Sequence, residues 1–189
     1  MLKFKVAPRL YDPEKVKEIS RDFSGGYLLL IKLSRAARVA FGSAGTLLLK
    51  PGYYVYAGSA IGKAGWRLLR HVGPFRRRPH WHIDRLLNKR TARVITIGVL
   101  PSKRKTECVL SRCVSLMADY SLVGVGSTDC DCPSHLHYFK RKSDAMKAIK
   151  KAIYRARGVQ LEPNVPKTFC PKHHSKCLGV VWGRKLSRA

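Results

Sequence analysis

Residues 52–71 read "GYYVYAGSAIGKAGWRLLRH". Tyr53, Tyr54, Val55 and Tyr56 are strand-forming residues, and the glycines that follow predict a turn. "WRLLRH" then predicts a helix that stops near Gly73–Pro74. The stretch lacks the lysine-serine/threonine ending of a nucleotide P-loop, so its glycines are not read as a phosphate cradle. They let the chain turn from a tyrosine-bearing strand into an arginine-bearing helix.

Working outward, "GGYLLLIKLS" from Gly25 is an apolar run suited to a buried strand. "ARVAFGSAGTLLLKPGYYVYAGS" is strand material broken at Gly42–Ser43–Ala44–Gly45 and at Pro51–Gly52, the punctuation of a meander or hairpin. Upstream, "DPEKVKEIS" predicts a short helix with Asp12 as cap and Pro13 in its first turn. Downstream, "RRRPHWHIDRLLNKR" predicts a basic loop and then a short helix from about Trp81. "ARVITIGVL" predicts a strand. "KTECVLSRCVSLMADY" predicts a helix with Val109, Cys113, Leu116 and Met117 near one face. A glycine-rich link leads to "HLHYF", a last short strand. "SDAMKAIKKAIYRARG" predicts a basic amphipathic helix from Ser143 to Gly158. The expected class is α/β (α+β): a small domain with a mostly antiparallel central sheet flanked by helices, then a basic C-terminal helix and an irregular tail.

Among the 189 residues, 38 Lys+Arg oppose 11 Asp+Glu, for a net charge of +27. That excess points to a polyanionic partner, nucleic acid before a membrane surface, because neutralised phosphates release counterions. At 45% hydrophobic residues the chain can bury a core, and no segment has the length of a transmembrane span. "MLKFKVAPRL" has no apolar signal region, so a cytoplasmic location is expected. The six cysteines then read as thiols or metal ligands rather than disulfides. Residues 141–189 carry 13 Lys+Arg and 2 Asp+Glu, net +11. The expected division is an N-terminal extension (1–23), a core domain (24–140) and a basic C-terminal extension (141–189).

Gly25-x-Tyr27 and Tyr56-x-Gly58 lie on two strands, with Arg67 on the following helix and Glu107 on a later one. This order resembles the GIY-YIG nuclease superfamily. The likeness is strongest to its archaeal and bacterial Uri-type endonuclease branch, long carried as a domain of unknown function. That branch shows "YVYxGSA", "RH", "HWHID" and a late "SDCxCxSHLxYF". This chain has Tyr54–Ala60, Arg70–His71, His80–Asp84 and "STDCDCPSHLHYF", in the same order over about residues 24–140. Two departures stand out. The interval from Tyr27 to Tyr56 is long, implying an extra strand pair or extended hairpin. The family's late asparagine has no obvious match, with Asp129, Ser134 or His135 as substitutes.

The resemblance implies phosphodiester hydrolysis with one Mg²⁺ or Mn²⁺ ion. Glu107 would hold the metal, Arg67 the phosphate, and Tyr27 the attacking water, with Tyr56 assisting. His71 would relay a proton or contact phosphate. A phenol is a weak base at neutral pH, so Arg67, His71 and the metal are expected to lower the Tyr27 pKa. Arg70, Arg76, Arg77, Arg78, His80 and His82 are the expected nucleic-acid contacts. Trp81 reads as a core plug or a base-stacking ring, and Asp84 as the partner that orients His80 or His82.

Two Cys/His groups remain. "CDCPSHLH" holds Cys130, Cys132, His135 and His137, read as part of the late active-site motif or as zinc ligands. "CPKHHSKC" holds Cys170, His173, His174 and Cys177, a second candidate for structural Zn²⁺. Cys108 and Cys113 read as helix-packing residues. The expected function is a metal-dependent endonuclease acting on DNA, with RNA as the other substrate class. The alternative is a non-catalytic DNA- or RNA-binding protein that retains the nuclease fold.

Overall fold

The computed structural model describes residues 9–62, 65–73 and 78–161, without the side chains of 158–161. Arg76 and Arg77 lie outside the described residues, as do Cys170, His173, His174 and Cys177. Six strands form one sheet: β1 (Arg9–Tyr11), β2 (Gly25–Leu33), β5 (Gly52–Ala60), β6 (Ala92–Pro101), β7 (Tyr120–Ser121) and β8 (Leu136–Phe139). Their spatial order is β1-β6-β2-β5-β8-β7, and every neighbouring pair is antiparallel. The mixed α+β architecture around an antiparallel sheet is thus as the sequence predicts.

The strands alternate in period two, so each feeds two cores. Tyr27, Leu29, Ile31 and Leu33 of β2, with Tyr54 and Tyr56 of β5, project to one face. That face is covered by α1 (Val16–Ser20), α2 (Trp66–Val72) and α3 (His82–Leu87), through Val16, Ile19, Leu68, Ile83 and Leu86. Leu28, Leu30, Val55 and Ala57 project to the other face, beneath α4 (Glu107–Ser115) and α5 (Lys142–Leu161). Ala145, Ala148, Ile149, Ala152, Ile153 and Ala156 form the buried stripe of α5, at the spacing of one helix face.

The long interval between the two motif strands is an extra strand pair. β3 (Ala37–Ala40) and β4 (Thr46–Leu49) make a separate antiparallel hairpin whose Val39, Phe41 and Leu49 pack on the first core. Among the described residues on either side of 24–140, β1 pairs with β6 and α5 covers the sheet.

Three local expectations need correction. Asp12 precedes a 3₁₀ turn at Pro13–Lys15 but makes no side-chain cap bond. α4 ends at Ser115, so Leu116 falls beyond its last turn and is 59% exposed; Leu110 and Val114 are the buried stripe. α5 starts at Lys142 and runs through Gly158 to Leu161. Packing of its alanine stripe carries the helix past a glycine that costs only about 1 kcal/mol. Among the described residues no helix is long and apolar enough to cross a membrane.

Register brings Tyr27 opposite Gly58. The phenol ring lies across the glycine: a Cβ at position 58 would meet Tyr27 Cζ at 2.5 Å and the hydroxyl at 2.6 Å. Gly58→Ala is therefore expected to destabilise the fold by about 1–3 kcal/mol through overpacking. Urea unfolding should show a lower midpoint at unchanged slope. A midpoint equal to wild type would mean that the ring does not lie over residue 58.

Candidate active site and metal-ligand cluster

The start of β2 and the end of β5 form one end of the sheet, and four of the predicted site residues meet there. On the α2/α3 face, Tyr27 Oη lies 2.9 Å from His71 Nε2. His71 is buried in α2, and its Nδ1 lies 3.6 Å from Asp84 Oδ1, outside hydrogen-bond reach but within ion-pair range. The carboxylate favours the tautomer with the proton on Nδ1, which leaves Nε2 to accept from the phenol.

Asp84 is the hub of this face. Its Oδ2 accepts from Arg70 Nε at 3.2 Å, Arg70 Nη2 at 2.9 Å, and the backbone N–H groups of His80 and Trp81 at 2.9 and 3.1 Å. It therefore orients Arg70 and His71 rather than the side chain of His80 or His82. Burial alone would raise its pKa, but the nearby His71 ring and the bonds from Arg70 and the two amides hold it far below the carboxylate range.

The phenols differ from expectation. Burial, reinforced by Tyr56, raises the Tyr27 pKa well above its ordinary value, and Arg67 only partly opposes this. Tyr56 is raised too, by burial and then by the Glu107 charge. His71 moves the other way: burial lowers it, and Asp84 restores only part of the loss. At neutral pH the group is a neutral phenol donating to a neutral imidazole.

Arg67 reaches the same end from α2. Its Nη1 donates to the backbone oxygen of Ser59 at 2.9 Å, while its Nε is buried without a hydrogen-bond partner. The guanidinium lies 4.9 Å from the centre of the Trp81 ring, which Arg70 also faces at 5.4 Å. Trp66 packs against Trp81 at 5.8 Å and is 52% exposed. Trp81 is thus a half-buried plate between two arginines and a second indole.

Glu107 comes from the opposite face and is held by Ser59. Ser59 Oγ accepts from the backbone N–H groups of Thr106 and Glu107 at 3.1 and 3.2 Å, and donates to Glu107 Oε2. Two of the orphan amides of α4 are thereby capped by a serine on a neighbouring strand, since Thr106 makes no side-chain cap bond. Gly26 permits this close packing, because a Cβ there would overlap the Thr106 side chain.

Among the expected nucleic-acid contacts, His80 and Arg78 are exposed. Arg70 is engaged by Asp84 and by the backbone oxygen of Arg78 at 2.7 Å. His82 is turned inward, where Nδ1 accepts the Gly126 N–H at 2.9 Å. Lys103, Arg104 and Lys105 are exposed immediately before α4, a basic run beside Glu107 that sequence reading passed over. Of the substitutes for the late asparagine, Ser134 is buried and bonded to the backbone of Leu136. Asp129 is exposed and near enough to help raise the Tyr56 pKa.

His135 belongs to a different group. The ligand atoms of Cys108, Cys130, Cys132 and His135 all lie within 4.8 Å of one another, a set that can hold a metal ion. Cys108 is therefore more than a packing residue, whereas Cys113 keeps that role. His137 stands outside the set, its Nε2 2.8 Å from Ser111 Oγ and its Nδ1 2.8 Å from Ser121 Oγ. A bond from the Cys108 thiol, aided by His135 and Arg112 against the effect of burial, pulls Cys132 down to about 4. Its donor Cys108 is pushed up.

Two outcomes follow for stability. Ser59→Ala removes the cap of α4 and should cost about 1 kcal/mol in urea unfolding; no loss would mean that the cap is not formed. His71 has a folded-state pKa below its unfolded value near 6.5, so its contribution is full above that pH and is lost as pH falls. The urea midpoint should therefore drop from pH 7 to 5. His71→Gln should flatten that slope, and an unchanged slope would contradict a buried neutral imidazole.

The family model described as "Domain of unknown function DUF123" covers residues 26–158. No curated protein and no solved structure matches the chain. The match takes in the tyrosine strands, the Arg67 helix, Glu107 and the Cys/His loop, and by it this chain belongs to the DUF123 family.

Proposed function

We propose that the chain is an endonuclease that hydrolyses phosphodiester bonds in nucleic acid, DNA before RNA, with one Mg²⁺ or Mn²⁺ ion. One observation carries the reading. At one end of the sheet, the Tyr27–His71 pair, an Arg67 with an unpartnered buried Nε, and a serine-anchored Glu107 converge. The likeness to GIY-YIG nucleases and the net charge of +27 point the same way.

Glu107 fits a hard cation that keeps most of its waters. It offers a half-exposed carboxylate, and among the described residues the Cys/His set is the only group of three or more candidate ligands. Bound there, a divalent ion would draw charge from the phosphoryl oxygens and the leaving oxygen.

The chain's own residues supply the rest. Arg67 binds a non-bridging phosphate oxygen through its free edge. Water attacks phosphorus and gives its proton to Tyr27 Oη, while the Tyr27 proton passes to His71 Nε2. The oxygen–phosphorus bond forms, the ester bond breaks, and the leaving alkoxide takes a proton from solvent. With its raised pKa, Tyr27 serves as a conduit rather than as a standing phenolate. Asp84 faces the imidazolium that results.

A second reading has its own support. Tyr27 and Tyr56 are only 3% and 7% exposed, which suits a binding protein that keeps the nuclease fold.

Labelled single-stranded, duplex and branched DNA, and RNA, would be incubated with the full chain and Mg²⁺ or Mn²⁺. Cleavage is expected, with Arg67→Ala and Glu107→Gln each losing about 100-fold or more. Activity that survives both changes would overturn the site. Salt-sensitive binding without cleavage of any substrate would select the second reading. The rate should fall on the acid side as His71 takes a proton, with the limb below pH 6.5 because burial lowers that pKa. Asp84→Asn should move the limb lower still, since the carboxylate raises His71.

A further inference from the structure

We infer that Cys108, Cys130, Cys132 and His135 bind one structural Zn²⁺ ion that staples the first turn of α4 to the loop before β8. The site is independent of the nuclease reading and stands or falls separately.

The ligand-atom spacing fits a closed tetrahedral site. With Zn–S near 2.3 Å and Zn–N near 2.0 Å, tetrahedral angles put sulfur and nitrogen about 3.5 Å apart. His135 Nε2 lies 3.9 Å from Cys108 Sγ and 3.5 Å from Cys130 Sγ. All four ligand atoms fall within 4.8 Å of one another, and the three thiols are free. Cys132 and His135 are buried, while Cys108 and Cys130 are half-buried. Four protein ligands leave no open position, which marks a structural rather than a hydrolytic site.

The donor set selects the ion. Three thiolates and an imidazole favour soft or borderline metals and disfavour Mg²⁺ and Mn²⁺, which want oxygen. The cation expected at Glu107 therefore cannot settle here. Zn²⁺ also suits the tetrahedral S₃N arrangement without redox chemistry.

The framework is in place around the ligands. His135 is pinned on both sides of its peptide unit: its N–H donates to Val125 O at 2.8 Å, and its carbonyl accepts from Ala57 at 2.9 Å. Cys130 and Cys132 sit on the same loop. Cys108 approaches from α4, directly after Glu107 in the chain. The ion would thus tie α4 to the loop, as Ser59 ties α4 to β5. Without it, three thiols crowd one small volume.

The test uses the full chain, because the tail carries its own Cys170, His173, His174 and Cys177. A Cys170→Ser/Cys177→Ser form removes that competitor. Elemental analysis of this form should find about one zinc per chain. Replacement with Co²⁺ should give the visible spectrum of a tetrahedral ion and a thiolate charge-transfer band with the intensity of three sulfur ligands. Cys132→Ser should lose the metal, Cys113→Ser should keep it, and His135→Cys should retain it with a fourth-thiolate spectrum. Chelation should lower the thermal midpoint and make Cys108 reactive to a thiol probe. Zinc that disappears with the tail substitutions would overturn the inference, as would a cobalt spectrum with fewer than three thiolates. Copper or iron in place of zinc, or no metal in a folded chain whose midpoint zinc does not raise, would also overturn it. The cobalt spectrum of the form with an intact core decides the matter even if Cys132→Ser fails to fold.

Discussion

The register of β2 against β5 is the constraint on which the rest depends. Tyr27 stands opposite Gly58, and Tyr56 opposite Leu29, so both phenols enter the same layer. The pleat then sends the next residue, Ser59, to the other side of the sheet. A slip by one residue would exchange the layers and bury Ser59 among the aromatics. Gly58 gives the register a steric lock, since the Tyr27 ring occupies the space a side chain would need. Two strands thus deliver a hydroxyl to each face: one to the His71 helix, one to the start of α4.

The two faces solve different electrostatic problems. On the α2/α3 side, a buried carboxylate is stabilised by Arg70 and two amides before it influences His71. Breaking that arrangement would strand a charge in a low-dielectric layer, which is costly. On the α4 side the helix N-terminus supplies the positive end of a dipole, and Glu107 sits in its first turn.

Much of this was legible because the decisive residues lie in short contiguous motifs. Tyr27, Tyr56, Arg67, His71 and Glu107 stand in a strand, a strand, a turn of helix and a helix start, all of which local composition reveals. The extra hairpin was legible from interval length alone. Partnerships were not. Cys108 looked like packing because its fellow ligands lie on a later loop, and His137 looked like a ligand because it is close in sequence. In space, one turn of α4 runs beside two residues of chain at β8, so Cys108 meets His135 while Ser111 meets His137. Helix rise and strand rise set that pairing. The ionisation of Tyr27 was misjudged for a similar reason: nearby cations are visible in a motif, but burial is a property of the whole fold.

The β3–β4 hairpin has a further consequence. The chain leaves the sheet at Leu33 and returns at Gly52, which are register partners. An excursion between two already adjacent points can change length at small entropic cost. Its tip lies near α3 and the loop before β8: a Cβ at Gly42 would stand 3.6 Å from His82 Nε2, and one at Gly124 would stand 3.3 Å from Ala44 Cβ. The hairpin is therefore a tuning peg. Insertions and deletions there can reshape the surface beside α3 while β2 and β5 stay in step.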